Sequence, residues 1–68
     1  MKYMVVVEPA ETGYGAYVPD LPGCVAVAKT REEVLKLIRS AIKLHLETLK
    51  EEGLPIPEPG SQSELIEV

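Results

Sequence analysis

Gly15-Ala16-Tyr17-Val18-Pro19-Asp20-Leu21-Pro22-Gly23-Cys24 is the stretch that decides the fold. Its first four residues belong to a run, Tyr14 to Val18, whose aromatic and β-branched members suit a strand. Pro19 then removes a backbone donor and fixes its own φ, so a hydrogen-bonded ladder cannot continue through it. Pro22 repeats the restriction, and Gly23 supplies the residue type that tolerates positive φ in a tight turn. Beyond it, Cys24 to Ala28 reads as a further strand. The decade is therefore a strand, a compact turn and the start of a second strand.

Working outward, Tyr3, Val5 and Val7 alternate with Met4, Val6 and Glu8, which predicts a strand over about 2–8 that stops at Pro9. Turn residues from Ala10 to Gly13 join it to the 14–18 strand as an antiparallel hairpin. On the other side, Thr30 and Glu33 have capping-box spacing and open a helix expected over about 31–52. Gly53 should end it, with Pro55 preventing its resumption. Pro55, Pro57 and Pro59 make residues 53–60 a stiff, extended connector. The last segment, Glu64 to Val68, carries Leu65, Ile66 and Val68 between two glutamates and predicts a short strand. The expected architecture is α+β: one β-β-β-α-β domain over residues 1–68, an antiparallel sheet packed on one long helix.

The 68 residues leave room for one domain only, and chains of this size rarely stabilise themselves by a hydrophobic core alone. Cys24 is the single cysteine and His45 the single histidine, so neither an intrachain disulfide nor a structural metal cluster can be the staple. Assembly with another chain is the remaining route. No signal-peptide pattern and no membrane-spanning apolar run is present, which places the chain in the cytoplasm as an expectation, with no membrane partner. A net charge of -4 argues against a general nucleic-acid coat and suits a basic partner.

Projected at roughly 100° per residue, the apolar positions of the helix fill an arc of about 200°, twice what one sheet covers. The surplus implies a second neighbour and predicts self-association, as a dimer or higher oligomer. Candidate interface residues are Leu37, Leu44, Leu46, Leu65, Ile66 and Val68.

Several residues could carry chemistry. Asp20 is the obvious carboxylate, but in a proline turn an aspartate ordinarily bonds nearby amides. Cys24 could be a nucleophile only with a base alongside, and packing is the expected role. His45, about 20° from Val34 on the wheel, is expected to pack or to line an interface. Lys36, Arg39, Lys43 and Lys50 form a basic stripe interrupted by Glu32 and Glu47, which reads as a solvated face. Tyr14 and Tyr17 should point to opposite faces of their strand, which weakens any base-stacking platform. Neither a catalytic residue, a metal site nor a cofactor is implied.

The run from Gly15 to Cys24 resembles the strand-turn-strand signature of the HicB antitoxin family, with Pro19, Asp20, Leu21, Pro22, Gly23 and Cys24 as its turn. The Thr30 to Glu33 helix start and Gly53-Leu54-Pro55-Ile56-Pro57 are also similar to that family, so the resemblance spans nearly the whole chain. It implies a partial ribonuclease H-like β-β-β-α-β fold, assembly into dimers or larger oligomers, and binding to a small basic HicA-type toxin that cleaves messenger RNA. Many family members carry a C-terminal DNA-binding unit. None is found before Val68, so direct DNA binding is not expected. The resulting reading is a non-enzymatic antitoxin. The alternatives are an orphan homo-oligomer with a structural or regulatory role and, less favoured, an RNA-binding module or nuclease.

Overall fold

The computed structural model describes all residues from Met1 to Val68. Three strands, β1 (Val6–Ala10), β2 (Gly13–Tyr17) and β3 (Val25–Ala28), precede one helix, α1 (Arg31–Glu51). The sheet is antiparallel throughout, in the order β1-β2-β3. With α1 on one face it forms a two-layer α+β structure.

The register explains which side chains are inside. Val7, Ala16 and Ala26 stand opposite one another across the three strands and belong to the face that packs on the core. One residue along, Val6, Tyr17 and Val25 fall on the other face, as the period of two requires. There Val25 is 64% and Val27 77% exposed. Alanines at 16, 26 and 28 leave space for α1, whose Val34 and Ile38 are buried against them.

The strand boundaries differ from the sequence expectation at both ends of β1, and by one residue at both ends of β2 and at the start of β3. β1 starts at Val6, not near residue 2, because its partner β2 ends at Tyr17, opposite Val6. The Val18 amide is taken out of the ladder and donates to the Cys24 carbonyl at 3.1 Å. Pro9 does not stop the strand; it lies inside β1, paired with Tyr14. An edge position tolerates the missing amide, and β1 is an edge.

The helix begins and ends on local chemistry. Thr30 is extended at φ -123° and its Oγ accepts the Glu33 amide at 3.1 Å, satisfying one donor of the first turn. At the other end Gly53 stands at φ +69°. Its amide donates to the Lys50 carbonyl at 3.2 Å and the Leu54 amide to that of Leu49 at 2.9 Å, the paired closure of a Schellman motif.

Beyond Gly53 the chain has no regular secondary structure and turns back on the domain: the Tyr3 hydroxyl donates to the Pro57 carbonyl. The expected strand over 64–68 does not form. A strand exists only through a partner, and the backbone of this segment meets none within its own chain. Leu65 and Val68 are left fully in solvent and Ile66 largely so.

Candidate functional site

The turn between β2 and β3 is two consecutive β-turns. The Leu21 amide donates to the Val18 carbonyl and the Cys24 amide to the Leu21 carbonyl, both at 3.0 Å. Pro19 and Pro22 occupy the second position of each turn, where their fixed φ fits. Gly23, at φ +85°, takes the third position of the second turn, which demands a positive angle. The consequence is a spacing of three: Val18, Leu21 and Cys24 all point inward and are buried, Leu21 completely. This turn closes one end of the core.

Asp20 occupies the corner and points outward. Its carboxylate accepts the Gly60 and Ser61 amides at 3.2 and 3.0 Å and the Ser61 hydroxyl at 2.8 Å. The Ser61 amide and then its hydroxyl hold the Asp20 carboxyl below its usual range; partial desolvation opposes them and the Gly60 amide adds to them. Sequence reasoning assigned Asp20 to neighbouring amides, whereas its partners lie 40 and 41 residues away. No local pattern announces such a contact. Together with Tyr3 and Pro57 it straps the connector to the body.

A second feature lies where Gly23, Cys24 and Val25 face Ala41, Leu44, His45 and Thr48 across a groove of about 240 Å³. Cys24 and His45 thus line the same groove, yet no hydrogen bond joins them, and burial pushes the Cys24 thiol up. A thiol held protonated is a poor nucleophile. The other concavity, about 350 Å³ and lined by Ala10, Thr12, Tyr14 and Lys29 among others, lies at the far end of the sheet.

The remaining candidates separate. The carboxylates that could join Asp20 in a metal site, Glu8 and Glu11, lie towards the β1–β2 turn, at the end of β2 opposite Asp20, and no three acidic, histidine or cysteine side chains converge on a metal-sized space. Tyr14 packs on the core while Tyr17 lies on the open sheet face. Lys36, Arg39, Lys43 and Lys50 are all exposed. Of the six interface candidates, Leu46 packs against the core, Leu37 and Leu44 are exposed on one flank of α1, and Leu65, Ile66 and Val68 are exposed in the tail.

Charge is unevenly distributed along the chain. From Leu44 onward there are six glutamates and one lysine, whereas residues 1–43 carry six basic and five acidic side chains. The acidic excess therefore belongs to the end of α1 and the tail, where the negative end of the helix dipole adds to it. No helix is long and apolar enough to cross a membrane.

Comparison with known proteins agrees in sequence and in structure. Residues 3–67 match the model of the HicB-like antitoxin of bacterial toxin-antitoxin systems. A UPF0150 protein of Thermoplasma acidophilum is 40% identical over 63 residues, 91% of each chain. Antitoxin HicB 1 of Photorhabdus laumondii is 38% identical over 61 residues, which are 88% of this chain and 39% of that antitoxin. Among solved structures, a chain of a HicA3 and HicB3 toxin-antitoxin complex superimposes with a TM-score of 0.70 at 29% identity, covering 87% of this chain and 72% of the other.

Proposed function

The chain belongs to the HicB-like antitoxin family, and from that premise we propose that it binds and neutralises a small, basic, RNA-cleaving toxin of the HicA type. The observation that carries this reading is the family match over residues 3–67, together with the likeness to a chain from a toxin-antitoxin complex. The physical support is the segregated acidic charge, which steers a basic protein towards the late half of the chain and rejects acidic competitors. On this reading the protein acts by occupancy in the cytoplasm and is not an enzyme. The protonated Cys24 thiol and the commitment of the Asp20 carboxylate to the tail favour that view. Neutralisation requires neither a cofactor nor direct DNA binding.

The test is co-expression with a HicA-type toxin from the same genome. Relief of toxin-induced growth arrest and co-purification of the two chains are expected. Continued arrest, with both proteins present and no complex, overturns the proposal.

A second activity, self-association, is favoured by Leu65, Ile66 and Val68, which stand in solvent on a segment with strand-like sequence and no strand to join. Pairing of 64–68 with a sheet edge of a second copy would satisfy that backbone. Light scattering on the full chain should give a multiple of the 7.4 kDa monomer mass, and removal of residues 62–68 should lower it. A monomer at high concentration rules this out.

A further inference from the structure

The two edges of the sheet are not alike. β1 carries Glu8 and Pro9, a charge and a residue without an amide, which are the usual devices against strand-to-strand association. β3 is Val25-Ala26-Val27-Ala28, with neither device along its length. Its only ladder partner is β2, so its outer row of amides and carbonyls is unpaired. On one side of that edge Val25 and Val27 stand exposed on the open sheet face. On the other lies the groove against α1, where Cys24, Ala41, Leu44, His45 and Thr48 offer no carboxylate, ammonium or guanidinium. A strand that completes this edge therefore needs apolar side chains on both of its faces and gains nothing from a charge towards α1.

The tail has that composition. In an extended segment 64–68, Ile66 and Val68 fall on one face and Leu65 on the other, because side chains alternate. Ile66, at 77%, is the least exposed of the three. The register that sets Ile66 opposite Ala26 and Val68 opposite Cys24 sends both towards α1, where the small Ala26 and Ala41 leave room beside Leu44, and lays Leu65 beside Val27. Where the arm departs decides whose arm it is. Asp20 holds Gly60 and Ser61 at the β2–β3 turn, so the free arm starts at Gln62, from the end of the sheet where β1 and β3 both begin. Laid along its own sheet from there, it runs parallel to either edge, a pairing that is slightly less stable per residue and foreign to a sheet that is antiparallel throughout. A second copy related by a two-fold axis can lay its arm antiparallel to β3. The exchange is then reciprocal: each copy gives an arm and receives one, and the assembly closes at two.

We propose that the free edge of β3, with its groove against α1, receives residues 64–68 of a second copy as an antiparallel strand in a closed two-fold exchange, and that the Asp20 clamp on Ser61 sets where each arm departs. The site rests on the self-association reading, to which it adds the receiving edge and the residues in contact; it is independent of the antitoxin reading.

The first experiment uses the wild-type chain. Isotopically labelled and unlabelled copies are mixed in equal amounts, at a concentration where light scattering gives the dimer mass, and nuclear Overhauser contacts between labelled and unlabelled copies are recorded. Contacts from the methyl groups of Ile66 or Val68 to those of Ala41 or Leu44 are expected. The second experiment places charges at exposed positions that leave the core intact, Leu44→Glu and Ile66→Lys, the former position being 65% exposed. Each alone should raise the dimer dissociation constant at least about tenfold, because it spoils both exchanged strands of its own dimer. The two variants mixed in equal amounts should associate with close to wild-type affinity, since one exchanged strand then joins opposite charges and the other is unaltered. Contacts centred on β1, contacts found only within one copy, or variants that leave the dimer as tight as the wild type overturn this site while self-association stands. So does a groove that stays open in the dimer and is covered only when a HicA-type toxin is added. A chain that remains monomeric at millimolar concentration removes the self-association reading and this site with it.

Discussion

Replacement of Leu21 by alanine asks whether the turn between β2 and β3 is architecture or contact surface. Leu21 is completely buried between two β-turns, with Val18 and Cys24 beside it in the core. Truncating a leucine at such a site costs about 2–5 kcal/mol, the transfer of the lost atoms plus the cavity they leave. A domain of this length has about 3–10 kcal/mol of total stability. The loss is therefore a large fraction of the whole. Taking about 3 kcal/mol and about 4–8 °C per kcal/mol for domains of this size, the melting temperature should fall by about 12–24 °C. Urea unfolding followed by far-ultraviolet circular dichroism should show the midpoint moving by about 2–3 M at a slope near 1 kcal/mol/M. Leu37→Ala, on the exposed flank of α1, serves as the reference and should cost well under about 1 kcal/mol. A Leu21→Ala protein as stable as Leu37→Ala would refute the assignment of this turn to the core.

Three further outcomes follow from individual contacts. The Asp20 carboxyl is held below its ordinary value of 3.8, so its hold on the tail is fully present above that pH and is lost as pH falls through the lowered folded value; Asp20→Asn should resemble the acid state at neutral pH. Faster amide exchange at Gly60 and Ser61 in both cases is the readout, and unchanged protection would show that the tail is held by other contacts. Because burial raises the Cys24 thiol, alkylation by iodoacetamide at pH 8 should be slow in the folded chain and fast in urea; equal rates would contradict the buried assignment. Thr30→Ala removes the cap on the Glu33 amide and should cost about 1 kcal/mol by urea unfolding, with no loss meaning that solvent replaces the bond.

The elements that were legible in the sequence are those whose boundaries depend on a few adjacent residues. Thr30 and Gly53 bracket the helix because a cap acts within one turn, and the two prolines with Gly23 specify consecutive turns on their own. What was illegible depends on distant partners. The start of β1 is set by where β2 stops, and that is set by the Val18 amide leaving the ladder for Cys24. Pro9 lies in a strand because that strand is an edge, a fact of topology rather than of composition. The 64–68 segment has strand-like residues and no strand, since β-structure is a property of pairs. At the candidate site, the sequence pointed to Asp20, Cys24 and His45 one at a time. Only folding strapped Asp20 to Ser61 and placed the other two along one groove.

The small core couples stability to binding. Only Ala16, Val18, Leu21, Cys24, Val34 and Ile38 are buried, which leaves the isolated chain close to the threshold where single substitutions unfold it. A partner that binds the folded chain and not the unfolded one adds about 2.7 kcal/mol when present at about 100 times its Kd. That equals most of what Leu21→Ala removes. The truncated protein should therefore recover in complex with a HicA-type toxin, regaining about 10–20 °C in melting temperature at that excess. Differential scanning calorimetry of Leu21→Ala alone and with rising toxin concentration measures the recovery directly. A melting temperature that stays fixed as toxin is added would mean that the toxin does not select the folded state, and neutralisation by occupancy of a folded surface would then be untenable.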